Sequence, residues 1–92
     1  MTENAKPGTP RAMITPKQCR AARGLLDWTQ QVLADKAQIG VVTLRQFESG
    51  ANLPRRATLK AIEMALAEAG VLFVRDDDYA GAGVRMAKKA PK

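Results

Sequence analysis

The sequence predicts a small, mainly α-helical domain that ends in a short pair of β-strands. Two short amphipathic helices are predicted within residues 29–50, where apolar side chains recur at helical spacing on both sides of a bend. A further helical pattern precedes this pair and another follows it. Runs of β-prone residues occur near the carboxyl end, at residues 71–74 and 84–86, with a glycine-containing turn between them. The predicted fold class is therefore four to five helices plus a carboxyl-terminal β-hairpin or strand pair.

The central helix pair has clear start and stop signals. Thr29 suits the N-cap of its first helix, and Gly50 suits the left-handed residue that ends its second helix. The apolar faces of the two helices comprise Leu33, Ala34, Ala37, Leu44 and Phe47. The bend at residues 38–40 is so short that the helices must cross steeply. The outer face of the second helix then presents an apolar, cationic and amide surface that suits base edges, formed by Val41, Val42, Arg45 and Gln46.

This pattern resembles the helix-turn-helix of the XRE/Cro-type family of phage-repressor-like regulators. The residues that carry the resemblance are Thr29, Gln30, Ala34, Ile39, Leu44, Phe47, Glu48 and Gly50. There are two departures. Gln38 stands where the family usually has glycine, so it must adopt a positive φ or the bend must be reshaped. Gly40 replaces the usual Ser or Thr cap of the recognition helix. The resemblance extends from about Ile14 to about Met86, and it implies a repressor-like DNA-binding domain.

The resemblance also implies an ion pair that holds the recognition helix. In the family, a cation in the first helix pairs with the acid at the end of the recognition helix. These positions fall on Arg23 and Glu48. The alternative is that Arg23 is an unpaired surface arginine.

The remaining segments complete the predicted organisation. The divisions are a disordered arm at residues 1–12, the helix-turn-helix domain at 13–70, a strand pair at 71–87 and a basic tail at 88–92. The first helix is expected to begin with Thr15 as its N-cap and Pro16 at its first position. Trp28 is expected to cover the edge of the core, and Leu53 is expected to fill the core from the loop before the fourth helix.

Positive charge is concentrated in the first two-thirds of the chain. The 92 residues have a formal net charge of +6. Residues 1–62 contain ten Lys and Arg against four Asp and Glu, whereas residues 63–92 contain five of each. The excess therefore lies with the predicted helix-turn-helix, where DNA phosphates would be met, although a basic balance can also serve solubility alone.

Residue usage argues against an enzyme or a metal protein. The chain has no histidine, the commonest general base and metal ligand, and its single cysteine, Cys19, excludes an intramolecular disulfide. Cys19 lies on the apolar stripe of the first helix, which favours a buried role over a redox role. Asp76, Asp77 and Asp78 are adjacent rather than alternate, which favours a solvated turn over a calcium loop. We expect no catalytic residue, no metal site and no cofactor.

Two groups of residues are predicted to meet DNA. Base reading is assigned to Val41, Val42, Arg45 and Gln46, because glutamine can pair with adenine and valine can pack on a thymine methyl group. Arg45 is expected to contact either a guanine or a phosphate. Contacts to the DNA backbone are assigned to the residues that frame the recognition helix, namely Thr29, Gln30, Thr43, Ser49, Arg55 and Arg56.

The leading functional hypothesis is a sequence-specific regulator, expected to be a repressor, that binds a palindromic operator as a homodimer. Two copies would read half-sites about 34 Å apart. The dimer is expected to form through the edge of the strand pair, with Leu72, Phe73, Val74, Val84 and Met86. In a competing arrangement the hairpin folds onto its own helices and the fourth helix forms the dimer.

A second functional hypothesis is the antitoxin of a toxin–antitoxin pair, which autoregulates its operon and binds a toxin protein. Such proteins generally need a long extension to wrap the toxin, and only short termini are expected here. The chain contains no apolar run of the roughly 20 residues that a membrane span requires and no signal-peptide pattern. We therefore expect a cytoplasmic, nucleoid-associated protein.

Overall fold

A computed structural model of the protein describes residues 14–88. These residues form four helices followed by two strands, namely α1 (Pro16–Leu26), α2 (Gln30–Ala37), α3 (Val41–Ser49), α4 (Arg56–Glu68), β1 (Val71–Val74) and β2 (Gly83–Met86). The predicted mainly α fold with a carboxyl-terminal strand pair is confirmed. The arm predicted at residues 1–12 and residues 89–92 of the predicted tail lie outside the described residues.

Helix α1 begins at a capping box. The Thr15 hydroxyl accepts a hydrogen bond from the backbone N–H of Gln18 at 3.0 Å. The Gln18 side chain in turn accepts one from the backbone N–H of Thr15, also at 3.0 Å. These two bonds satisfy donors that a helix start leaves free, and Pro16 at the first position lacks an N–H to satisfy. Leu25, which the helical pattern places beside the apolar stripe, is exposed.

The bend between α2 and α3 keeps the shape that glycine usually provides. Gln38 adopts the left-handed conformation, with φ 60° and ψ 46°. The following N–H of Ile39 donates to the carbonyl of Ala34 at 3.0 Å, which closes the end of α2. A residue with a Cβ adopts this conformation at a cost of about 1–2 kcal/mol. Of the two outcomes considered for Gln38, the structure therefore shows the positive φ.

All the elements contribute to one hydrophobic core. Ala22 and Cys19 of α1 are fully buried, and Ile14, in the segment before the helix, belongs to the same buried cluster. The largest buried apolar side chains are Leu33 of α2, Leu44 and Phe47 of α3, Leu59, Ile62 and Leu66 of α4, and Val71 of β1. Trp28 is partly buried against this core, as expected, and the Lys36 ammonium lies 5.6 Å from the centre of its ring.

Leu53 does not fill the core; its side chain is 80% exposed. The loop that carries it is held close to the end of α3, because the N–H groups of Ala51 and Asn52 both donate to the carbonyl of Gln46. Phe47 and Leu59, on either side of this loop in the chain, are buried, whereas the loop residue Leu53 is not. The expectation for Leu53 was therefore wrong.

The antiparallel hairpin packs on the protein's own helices. Val71 pairs with Met86 and Val74 with Gly83 at the two ends of the register. Strand β1 packs on α4, and β2 packs on α1. The buried amide nitrogen of Gln18 donates to the carbonyl of Val74 at 3.3 Å and to that of Gly83 at 2.9 Å. Gln18 therefore joins the start of α1 to the end of the hairpin at the acidic turn.

We expect Gln18→Met to loosen the hairpin. Methionine fills a similar volume but can neither donate to the carbonyl groups of Val74 and Gly83 nor accept from the N–H of Thr15, and losing these part-buried hydrogen bonds should cost about 1–3 kcal/mol. Urea unfolding should show a loss of this size in the free energy of unfolding. The exposed Gln31 of α2 supplies a matched control, since Gln31→Met should change this quantity by no more than about 0.5 kcal/mol. Equal effects for the two variants would contradict the role assigned to Gln18.

Candidate nucleic-acid interface

Helix α3 has one face in the core and the opposite face in solvent. Leu44 and Phe47 anchor the inner face and are almost completely buried. On the other side, Val42 is 56% exposed, and Arg45 and Gln46 are exposed as well. The outer surface thus combines an apolar side chain, a cation and an amide within about one and a half helical turns.

Val41 lies between these two faces. It was assigned to base reading with Val42, but its side chain is partly buried and packs against the core. Val41 is the first residue of α3 and directly follows its N-cap, Gly40. Less of its surface is therefore available to a ligand than that of Val42.

The carboxylate of Glu48 is buried at the far end of α3 and is saturated with hydrogen bonds. Its exposed fraction is 2%. Arg23 of α1 forms a bidentate pair with it, with Nε 2.8 Å from Oε2 and Nη2 2.7 Å from Oε1. Gln30 of α2 donates to Oε1 at 2.9 Å, and the Cys19 thiol donates to Oε2 at 3.0 Å. Donors from α1 and α2 thus converge on one group of α3.

Two further contacts strengthen this attachment. The third guanidinium nitrogen of Arg23 donates to the carbonyl of Trp28 at 3.1 Å, which connects the pair to the α1–α2 link. Arg20, one turn earlier in α1, donates to the backbone carbonyl of Glu48. A cation at the carboxyl end of a helix is favourable because free carbonyl groups collect there. The sequence pattern indicated neither the Arg20 contact nor the Cys19 donor.

Burial and hydrogen bonding act in opposite directions on Glu48. Burial raises the pKa of this carboxyl, but hydrogen bonds from Arg23, Gln30 and Cys19, together with the charge of Arg23, outweigh it, so the pKa lies below its ordinary value. The pKa of the Cys19 thiol is raised, first by burial and then by the hydrogen bond to Glu48. The thiol therefore stays protonated, as a donor to a charged carboxylate must.

The residues assigned to the DNA backbone lie on α3, at the start of α2 and at the start of α4. Thr29 is exposed and caps α2, with its hydroxyl accepting from the N–H of Val32 at 3.1 Å. Thr43 and Ser49 are exposed on α3. Arg55 and Arg56 are exposed at the start of α4, which has no side-chain cap on its N–H groups. Two of these groups already donate within the protein, since the Gln30 amide donates to Glu48 and the Ser49 hydroxyl donates to the backbone carbonyl of Gln46.

The strand residues assigned to dimerisation do not all face the same way. Phe73 and Val84 are partly buried against the core. Leu72, at 51% exposed, and Val74 lie on the opposite face of the hairpin, and Met86 is exposed at its end. The alternation along β1 explains the division, since neighbouring residues of a strand point to opposite faces.

The described part of the chain contains neither a candidate metal site nor a candidate membrane-spanning helix. Residues 14–88 contain no group of three or more His, Cys, Asp or Glu side chains that could hold a metal ion. Among the same residues, no helix has the length and apolar character needed to cross a membrane.

The comparison with known families agrees with this geometry. A family model described as helix-turn-helix matches residues 20–68, which is more than half of the chain and runs from α1 to the end of α4. The chain belongs to the XRE/Cro-type helix-turn-helix family. No curated protein sequence matches the chain. As a helix-turn-helix protein of this family, it is a DNA-binding transcriptional regulator.

Removal of Arg23 should destabilise this helix-turn-helix. Arg23→Ala would leave the buried Glu48 charge without its main partner, and breaking one side of a buried ion pair costs about 3–5 kcal/mol. Glu48→Gln removes the charge while keeping the shape, so the double variant should be less destabilised than the sum of the two single changes. Urea unfolding of the four proteins gives the coupling energy. A coupling energy of zero would contradict the pairing.

The depressed pKa of Glu48 also predicts a pH dependence. Because the folded carboxyl has a lower pKa than the unfolded one, its stabilising effect is complete above the ordinary glutamate pKa and is lost as pH falls through the folded value. The free energy of unfolding, measured from neutral pH downward, should fall less in Glu48→Gln than in the unchanged protein. Parallel pH profiles would show that Glu48 does not contribute to acid unfolding.

Proposed function

We propose that the protein is a repressor that binds a palindromic operator as a homodimer and reads each half-site with the outer face of α3. The observation that carries the proposal is the exposed outer face of α3, whose inner face is anchored in the protein. The helix is anchored by Leu44, Phe47 and the Glu48 cluster, while Val42, Arg45 and Gln46 remain exposed. A helix held in this way can enter the major groove without first becoming ordered, so little binding free energy is spent on ordering it.

The exposed groups of α3 suit direct base reading. Gln46 can donate to N7 of an adenine and accept from its N6 amino group. Val42 and the free part of Val41 can pack on thymine methyl groups, and Arg45 can bond either a guanine or a phosphate. This chemistry distinguishes base pairs through the major groove, where each of them presents a different pattern of donors and acceptors.

The residues around α3 can hold the duplex in register. Arg55 and Arg56 stand beside the free N–H groups at the start of α4, which makes this corner electropositive. The hydroxyl groups of Thr29 and Thr43 lie on exposed residues of the same helix-turn-helix, and the exposed Ser49 can exchange its bond to the Gln46 carbonyl for one to a phosphate. Gln30 can take part with the amide hydrogen that its bond to Glu48 leaves free. Such contacts position the protein and carry no sequence information by themselves.

Dimerisation through the hairpin edge would join two copies of the protein, each of which reads one half-site of the operator. A sheet of two strands leaves each strand with one edge that pairs with no other strand among residues 14–88. Pairing β1 with its copy across a two-fold axis would satisfy those backbone groups and pack Leu72 and Val74 against their copies. Met86, by contrast, is on β2 and lies away from that edge. Phe73 and Val84 would support the sheet from the core side. The hairpin is folded onto its own helices, as in the competing arrangement, so α4 is the alternative dimer surface.

Gln46→Ala tests the base reading. We expect a loss of about 1–3 kcal/mol in preference at one base pair of each half-site, with other positions unchanged. Selection from a library of randomised duplexes, followed by sequencing, gives the preference at every position. The exposed Gln31 of α2 supplies the control, because Gln31→Ala should leave the profile unaltered. Equal weakening of all sequences by Gln46→Ala would contradict the assignment.

The salt dependence of binding tests the backbone contacts. Arg55→Gln or Arg56→Gln should weaken selected and random duplexes alike. Each change should also reduce the slope of log K against log salt by about one, because one fewer phosphate is neutralised. Arg75→Gln on the hairpin is the control and should leave the slope unaltered. If the slope stays the same in both α4 variants, these arginines do not contact DNA.

Two matched lysine substitutions test the dimer. Leu72 on the hairpin and Met64 on α4 are 51% and 49% exposed, so both changes place a charge at a half-exposed apolar position. Sedimentation equilibrium should show a monomer for Leu72→Lys and a dimer for Met64→Lys. The reverse result would place the contact on α4, and a monomer for the unchanged protein would exclude a stable homodimer.

A second protein that copurifies with the chain would instead favour the antitoxin alternative.

A further inference from the structure

The loop between α3 and α4 closes over Gln46. The N–H groups of Ala51 and Asn52 donate to the backbone carbonyl of Gln46, at 2.9 and 3.3 Å. The Asn52 side chain bonds the Gln46 side chain as well, with its Nδ2 donating to Oε1 at 3.1 Å. Asn52 is therefore hydrogen-bonded to both the backbone and the side chain of Gln46, on the outer face of α3.

The hydrogen bond from Asn52 Nδ2 to Gln46 Oε1 restricts the side chain of Gln46, which would otherwise be mobile. An exposed glutamine samples several rotamers, and fixing it on binding costs up to about 1.5–2 kcal/mol. With Oε1 turned towards Asn52, the amide has a defined direction before DNA arrives. The oxygen keeps one lone pair, and Nε2 keeps both of its hydrogens. The bonds that a glutamine makes to adenine therefore remain available.

We propose that Asn52 is a positioning residue that sets the base preference of Gln46 without contacting the base itself. The inference rests on the proposed base reading by Gln46 and extends it to a residue outside the recognition helix. It assigns sequence selectivity to the α3–α4 loop. In this account, a change in the loop alters which base pair α3 prefers, although α3 itself is unchanged.

The test compares Asn52→Ala, Gln46→Ala and the double variant with the unchanged protein on a library of randomised duplexes. Asn52→Ala should reduce the preference at the base pair affected by Gln46→Ala by about three- to tenfold, the equivalent of one hydrogen bond. Combined with Gln46→Ala, it should have no further effect on that base pair. Asn52→Leu has a similar shape but can neither donate to nor accept from the Gln46 side chain, so it should lose the same preference.

The possible failures point to different parts of the account. If Asn52→Ala relaxes a different base pair, Asn52 reads a base directly and the positioning role is overturned. If it weakens all sequences equally, Asn52 contacts a phosphate, which also overturns that role. If Gln46→Ala relaxes one base pair and Asn52→Ala changes nothing, only the present inference fails. If Gln46→Ala alters no position, the proposed base reading fails, and this inference fails with it. Thermal unfolding of each variant confirms that these exposed changes leave the fold intact.

Discussion

The buried carboxylate of Glu48 is the interaction on which the arrangement of the helices depends. A charge removed from water is strongly unfavourable unless partners surround it. Here Arg23 and Cys19 come from α1 and Gln30 comes from α2, and all three must reach the same two oxygens. Few orientations of α3 allow this. The ion pair therefore contributes specificity of arrangement, in addition to any net stability.

The burial of Glu48 also determines which face of α3 points into the core and which face points into solvent. Leu44, Phe47 and Glu48 turn inward, so Val42, Arg45 and Gln46 must turn outward along one surface. Helix α1 also connects this surface to the opposite end of the molecule. Arg23 holds the end of α3, while Gln18, earlier in the same helix, holds the hairpin. In a dimer formed through the hairpin, α1 would thus connect the dimer contact to the recognition helix of each copy.

Local chemistry explains which parts of the structure could be predicted from the sequence. The helix boundaries follow from short signals such as Thr15, Thr29 and Gly50, and the buried faces follow from helical spacing. Contacts between distant segments could not be predicted in this way. The bonds from Gln18 to the hairpin, and the exposure of Leu53, depend on how complete elements pack together. No local pattern encodes that packing.

In the candidate site, too, some features could be predicted from the sequence and others could not. Helical periodicity was enough to place Val42, Arg45 and Gln46 on one outer face, and the family resemblance was enough to suggest that Arg23 and Glu48 meet. Periodicity could not show the partial burial of Val41, because that depends on the path of the bend before α3. It could not show the Asn52 contact either, since this arises where an irregular loop returns to a helix.

The most direct test of this account is an NMR titration of the protein with a duplex selected from a randomised library. If α3 is a rigid reader, amide and side-chain shifts should change most at Val42, Arg45 and Gln46. The Nε–H signal of Arg23 should remain in place, because the Glu48 cluster is already formed before DNA binds. Large changes confined to the hairpin, with α3 unaffected, would contradict the central claim that the outer face of α3 is the DNA-binding surface.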